Sequence, residues 1–391
     1  MQAHFAHLGP RARDRLFGQW PQELDHNGPA ADVGAALGAT LYMPATRRHL
    51  ARDLTKAARR GVVSSVVCLE DSISDHDVEG AQLHAVEQLR ALAASGAARP
   101  LVFVRVRTPE QIGEIVTALA GSVSVLAGFV LPKFIGSRAT TYLEAVAAGA
   151  EKAGHRLLAM PVLESPELMH RETRLGALLD LADELHTHRE IVACVRIGAT
   201  DLSAALGLRR PRELTVYDIG PVADVISDIV NVLGRADGTG HVIAGPVWEY
   251  FAQRPRLFKP QLRTTPFEAH DAVELRSDLL TDDLDGLIRE VVLDRARGIL
   301  GKSVIHPSHV PVVHALSVVS AEEFADAQDI TTMHAAGGGV RSSEFSNKMN
   351  EAGPHQGWAL ATLRRARTFG VAAPDISLVD FLEEERAGES P

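Results

Sequence analysis

Eight short apolar runs of this chain end in residues that could do chemistry. RLLAMPVLE (156–164) ends on Glu164, and VACVRIGATD (192–201) ends on Thr200 and Asp201. SSVVCLED (64–71) delivers Glu70 and Asp71. PLVFVRV (100–106) carries Arg105, with Arg107 just beyond. Arg47 follows LYMPA (41–45), Lys133 lies in GFVLPKF (128–134), and His306 lies in KSVIHP (302–307). Any one of these also fits a helix cap or a solvated loop end. As a set they place acids on runs two, five and six and cations on runs one, three and four, which suits an anionic ligand plus a metal. If Glu164 and Asp201 end neighbouring parallel strands, about 4.8 Å apart, two bare carboxylates would repel, and one would hold a proton unless a cation lay between them. Hard oxygens on a shallow rim suit Mg2+, with Mn2+ as the runner-up. No CxxC or HExxH spacing supports zinc, and the His-rich HTHRE (186–190) and HPSHVPVVH (306–314) are weak signals. Arg105 stands between apolar residues, so its charge needs an anion. Either Glu70 or Asp71 nearby, or a substrate carboxylate or oxyanion gripped by the guanidinium fork, meets that need.

The eighth run is HVIAGPV (241–247), which leads into Trp248 and Glu249. The intervals between runs show helical spacing at 46–60, 75–95, 109–120, 137–152, 166–184 and 222–234, and again in FEAHDAVELRSDLL and DDLDGLIREVVLDRARGIL. Strands alternating with helices imply right-handed crossovers and a parallel sheet. Eight such units predict an α/β fold, a (β/α)8 TIM barrel whose site lies at the C-terminal strand ends. A doubly wound open sheet is the alternative, but no Gly-rich phosphate turn follows an early strand. GRADGTG (234–240) and AAGGGVR (335–341) read as loops. The expected layout is an N-terminal arm at 1–35, the barrel at 36–320, and a helical C-terminal extension at 321–391. A basic, Pro-rich stretch, FAQRPRLFKPQLRTTPF, separates runs seven and eight.

Of the 391 residues, 46% are hydrophobic and 23% charged, as in an ordinary soluble protein. The formal charge of −10 argues against a nucleic-acid partner. No apolar run approaches a membrane span, and the N-terminus has no apolar signal core. Cys68 and Cys194, both inside apolar runs, read as buried thiols of a cytoplasmic protein.

Seven motifs, in order over residues 38–325, resemble the citrate lyase beta subunit / HpcH-HpaI aldolase superfamily. LYMPATRRHL is similar to its LFVPGTRPDR, VVCLEDSIS to VLDLEDAV, VFVRVR to VVRIN, and GFVLPKF to GIMLPKV. PVLESPELM is similar to IETARGLL, IGATDLSAALGL to FGSxDLAxDLG, and KSVIHPSHV to KWAIHPSQI. The resemblance implies a TIM barrel that makes or breaks C–C bonds by aldol or Claisen chemistry with Mg2+. The substrate would be a β-hydroxy acid or its coenzyme A thioester, and the assembly a homo-oligomer. Carried over by position, Glu164 and Asp201 would be metal ligands, Arg105 would bind the keto-acid oxygens, and Glu70 and Asp71 would hold Arg105 or a metal-bound water. Arg47, Arg107, Lys133 and His306 would contact substrate. The chain departs from the pattern at Cys68 (usually Asp), Ala45 (Gly), Arg107 (Asn) and His309 (Gln). The extra cation Arg107 and the basic residues Arg254, Arg256, Lys259 and Arg263 favour a more anionic or phosphorylated substrate over a thioester. The tail, SNKMNEAGPHQGWALATLRRARTFGV, resembles a subgroup of C–C bond lyase-like barrels associated with tellurium-resistance-type gene clusters. Its Glu351 and His355 would reach a barrel mouth, their own or a neighbour's. The competing expectation is a barrel that has lost turnover and serves as a binding subunit.

Overall fold

All eight apolar runs form strands in the computed structural model, which describes residues 3–251 and 284–387. They are β1 (Ala39–Pro44), β2 (Ser64–Cys68), β3 (Leu101–Arg105), β4 (Leu126–Leu131), β5 (Leu158–Leu163), β6 (Val195–Ile197), β7 (Ile243–Trp248) and β8 (Leu300–Val304). They pair parallel in chain order, and β8 closes on β1. Both faces of each strand are covered, which is why the runs are almost continuously apolar. Inward residues such as Val66, Phe103, Val130, Leu158 and Met160 fill the barrel. Outward ones such as Val67, Val104, Phe129 and Leu163 pack under the helical ring. The helices follow the expected intervals; Val78–Ser95 and Gly136–Ala153 each end on a left-handed glycine, Gly96 and Gly154. The predicted helix at 166–184 is broken at His170 into Pro166–Met169 and Arg171–Thr187. The predicted FEAHDAVELRSDLL helix and the basic residues Arg254, Arg256, Lys259 and Arg263 lie outside the described residues.

The N-terminal end of the barrel is plugged. Helix Ala30–Ala35 lies across it, so close that a Cβ at Gly34 would sit 1.8 Å from the Ala193 carbonyl oxygen. The C-terminal extension gathers at this same end. It consists of helices Ala321–Ala335, Gln356–Phe369 and Leu378–Ala387 with a hairpin, Val340–Ser342 and Met349–Glu351. Arg364 pairs with Asp32 of the plug at 3.2 Å. Glu323 pairs with Arg295, in the last helical turn before β8, at 3.0 Å. Val371–Ala372 pairs with Phe17–Gln19, joining the two termini. Among the described residues no helix is long and apolar enough to cross a membrane.

Candidate active site

The opposite, C-terminal end of the strands opens into a cavity of about 610 Å3. Its lining includes Tyr42, Cys68, Asp71, Arg105, Glu164, Arg196, Gly198 and Asp201. Arg105, on β3 beside Cys68 of β2, is the hub. Its Nη2 lies 2.7 Å from Glu70 Oε2, 3.1 Å from Asp71 Oδ2 and 2.9 Å from Glu164 Oε1. Its Nε is buried with no partner among the described residues. Lys133 ties the acids together twice: its Nζ is 3.1 Å from Glu70 Oε1, and its backbone N–H donates to Glu164 Oε1 at 3.0 Å. To do so Lys133 takes φ +48, a left-handed conformation that side chains rarely adopt and that clusters at functional sites.

Asp201 does not end a strand. β6 stops at Ile197, Gly198 pairs its N–H with the Leu163 carbonyl at 3.0 Å, and Asp201 stands in the first turn of helix Ala199–Ala204. Gly198 is what lets Glu164 in, because a Cβ there would meet Glu164 Cβ and Oε2 at 2.4 Å. Thus Glu164 and Asp201 both reach the cavity, although one comes from a strand tip and the other from a helix N-terminus.

Four acids, Glu70, Asp71, Glu164 and Asp201, face two bases, Arg105 and Lys133, an excess of two acids. The titrations follow. Burial, reinforced by Asp201 and Glu70 against the pull of Arg105, pushes Glu164 up to about 7. Burial also raises Asp201. Burial and a hydrogen bond with Glu70 raise Asp71 to about 6. Glu70 goes the other way: its hydrogen bond with Asp71, then Arg105 and Lys133, overcome burial and lower it. The hydrogen bond to Glu70 raises Lys133. Against burial, Glu164 holds the Arg105 guanidinium still more firmly protonated.

Such an excess fits a divalent cation. The donors are hard carboxylate oxygens from Glu164 and Asp201, and Asp201 makes no ion pair among the described residues. Two carboxylates with open positions match Mg2+, which keeps waters and takes substrate oxygens. A closed metal cage is absent among the described residues, where no group of three or more His, Cys, Asp or Glu could hold an ion. The two His-rich runs therefore form no such group either.

Four other expected contacts fall elsewhere. Arg47 pairs with Asp53 at 2.8 Å and lines a separate groove. Arg107 holds the loop after β2: it donates to the Leu69 carbonyl at 2.9 Å and the Glu70 carbonyl at 3.1 Å, and also to Ile73 and Asp75. Neither lines the cavity. Glu351 and His355 bond each other, His355 Nδ1 accepting from the Glu351 N–H at 3.1 Å. They precede helix Gln356–Phe369 at the plugged end, which corrects the expectation that they close over this chain's own mouth. His306 remains near the rim, stacked on Phe251 at 5.0 Å. Three positions escape the motif reading: Tyr42, Gly198 and Arg196. Arg196 carries the signal that marks Arg105, a charge between apolar neighbours, here Val195 and Ile197.

The protein CitE from Mycobacterium tuberculosis, solved in complex with magnesium, acetoacetate and coenzyme A, is 22% identical. It covers 85% of this chain and 99% of its own, with a TM-score of 0.50. Haloferax volcanii malate synthase in a magnesium/glyoxylate complex is 15% identical, with coverages of 83% and 88% and a TM-score of 0.50. These likenesses show the fold. No curated protein matches the chain. The family described as "C–C bond lyase of the TIM-barrel fold" matches residues 32–371, the whole barrel and most of the extension. With a closed eight-strand barrel and the acid-and-arginine cluster at its open end, this chain belongs to that family of carbon–carbon bond lyases.

Proposed function

We propose that the chain makes or breaks a C–C bond next to a carbonyl, in a small β-hydroxy acid or its thioester, with Mg2+ held by Glu164 and Asp201. The carrying observation is the convergence of three carboxylates, Glu70, Asp71 and Glu164, on Arg105 and Lys133, with Asp201 lining the same 610 Å3 cavity. That the two similar structures were solved with magnesium is in keeping with it.

Bound there, Mg2+ would act as a Lewis acid on the substrate carbonyl and so favour the enolate that C–C cleavage leaves behind. The chain's own residues do the rest. Arg105, which lines the cavity and is held through Nη2 by three carboxylates, stabilises charge as it develops on substrate oxygens. Glu70 receives both Arg105 and Lys133, so the guanidinium is positioned before substrate arrives. The Lys133 N–H fixes one Glu164 oxygen and leaves the other turned toward Gly198 and the Asp201 helix. A preorganised cluster of this kind needs little rearrangement in the transition state.

The test is a screen of malyl and citramalyl thioesters and the free hydroxy acids, with keto-acid release as the readout. Turnover should appear on at least one substrate, vanish with EDTA and return with Mg2+ or Mn2+. Turnover untouched by EDTA would remove the metal from the proposal.

A further inference from the structure

Below the carboxylates the cavity floor carries a cation that no carboxylate among the described residues neutralises. Arg196 stands on β6, is 2% exposed, and lines the cavity with Tyr42, Val162 and Ser303. Its Nη1 donates to Ser303 Oγ at 2.8 Å, its Nη2 to Thr40 Oγ1 at 2.6 Å, and its Nε to Met160 Sδ at 3.4 Å. Its guanidinium carbon lies 5.9 Å from the Tyr42 ring centroid. Every one of these partners is uncharged.

The contrast with the other buried cations is direct. Arg174, Arg196, Arg210 and Lys302 are the buried arginines and lysines among the described residues. Arg174 pairs with Asp228 at 2.7 Å, Arg210 pairs with Glu290, and Lys302 lies 2.7 Å from Glu290 and 2.8 Å from Asp294. Arg196 alone pairs with no carboxylate among the described residues. An uncompensated buried charge is costly, so its retention beside a cavity points to a partner that comes with the ligand. A guanidinium has five N–H donors. Three are used, which leaves one on each terminal nitrogen, the pair that grips a carboxylate side by side.

Resting on the function proposed above, we infer that Arg196 recognises a second acid group of the substrate. The reacting carbonyl end lies at Glu164, Asp201 and Arg105, and a distal carboxylate reaches the floor. The substrate class is then a hydroxy or keto diacid, and Arg196 is a specificity-determining residue.

Titration calorimetry on the full chain with Mg2+ tests this. The probes are 2-oxoglutarate against 2-oxopentanoate, and 2-oxoadipate against 2-oxohexanoate, pairs that differ only in the terminal carboxylate. In at least one pair the diacid should bind about tenfold or more tightly, as a charge-assisted hydrogen-bonded pair would give. Arg196→Met should erase that preference and leave the monoacid affinity unchanged. Arg196→Lys should keep part of it, and serves if the Met variant fails to fold by circular dichroism. Equal affinities in both pairs, no diacid binding, or a preference intact in both variants would overturn the inference. The same titrations in EDTA separate the two readings. A preference for the diacid that persists without metal leaves Arg196 standing whatever the EDTA test of turnover decides about the metal.

Discussion

At Arg105 one nitrogen faces three carboxylates while Nε stays free. Charge and shape are therefore separable there. Arg105→Lys should keep a cation among the acids and hold the fold, yet lose the planar fork. Turnover should fall about 100-fold or more, as when one preorganised oxyanion donor is removed, with Mg2+ affinity nearly unchanged. Wild-type kcat in that variant would remove Arg105 from the chemistry. Glu164→Ala and Asp201→Ala make the complementary prediction. Each should weaken Mg2+ binding about tenfold or more in calorimetry, because each deletes one of two carboxylate ligands. Glu70 still pairs Arg105 in the Glu164 variant, so the melting temperature should move little. Unchanged affinity in either would sink that ligand. These residues are legible in the sequence as charges at the ends of apolar runs. Arg47 and Arg107 look the same there, yet their guanidinia turn to Asp53 and to loop carbonyls. Position along the chain reveals that a charge reaches the rim, but not which way the side chain turns.

The strands and helices are more legible than the residues they carry. Eight apolar runs reveal eight strands because a parallel barrel buries both faces of each one. The ends are less clear: the run through VACVRIGATD extends to Asp201, whereas β6 stops at Ile197. No change of periodicity marks that stop. What ends the strand is a packing event, the seating of Glu164 against Gly198, and the helix that starts next brings Asp201 to the cavity. Gly198 has φ −92, so its backbone conformation is open to any residue, and closeness to Glu164 is the sole demand on it. Gly198→Ala should therefore act through Glu164. The added methyl would push the carboxylate off its place between Lys133 N–H and Arg105, and Mg2+ affinity should drop as in Glu164→Ala. The melting temperature should fall by only a few degrees, in line with about 1–3 kcal/mol for local overpacking. Retained metal binding would show that Glu164 has room to shift and that the close approach is incidental.

The two ends of the barrel are built for different work. One is open and charged. The other is sealed by the plug helix, the first residues of the chain and the C-terminal extension, a closure that needs tertiary contacts between positions more than 300 residues apart. No local pattern announces it, which is why the tail reads from sequence as readily as a lid. Buried within the seal are two histidines, His4 and His314. His4 Nε2 donates to the Ala36 carbonyl, 2.8 Å away, and its ring meets His314 edge-on at 4.6 Å and Phe369 at 4.3 Å. His314 Nε2 accepts from the Ala39 N–H at 3.2 Å, at the very start of β1. His7 faces the pair from the same segment and binds Glu385 at 2.9 Å. Burial lowers His4 from 6.5 to about 4, and lowers His314 well below 6.5. A depressed folded-state pKa means that the unfolded chain takes up protons first. The stability tied to these neutral rings is full above pH 6.5 and is lost as pH falls toward 4, at up to about 1.4 kcal/mol per pH unit for each ring. His4→Gln keeps a donor for Ala36 and cannot titrate. In urea unfolding between pH 6.5 and 4, it should flatten the acid loss of stability relative to the wild type by about that slope. Identical slopes would mean that the His4 ring already accepts a proton in the folded state and that the seal does not sense acid.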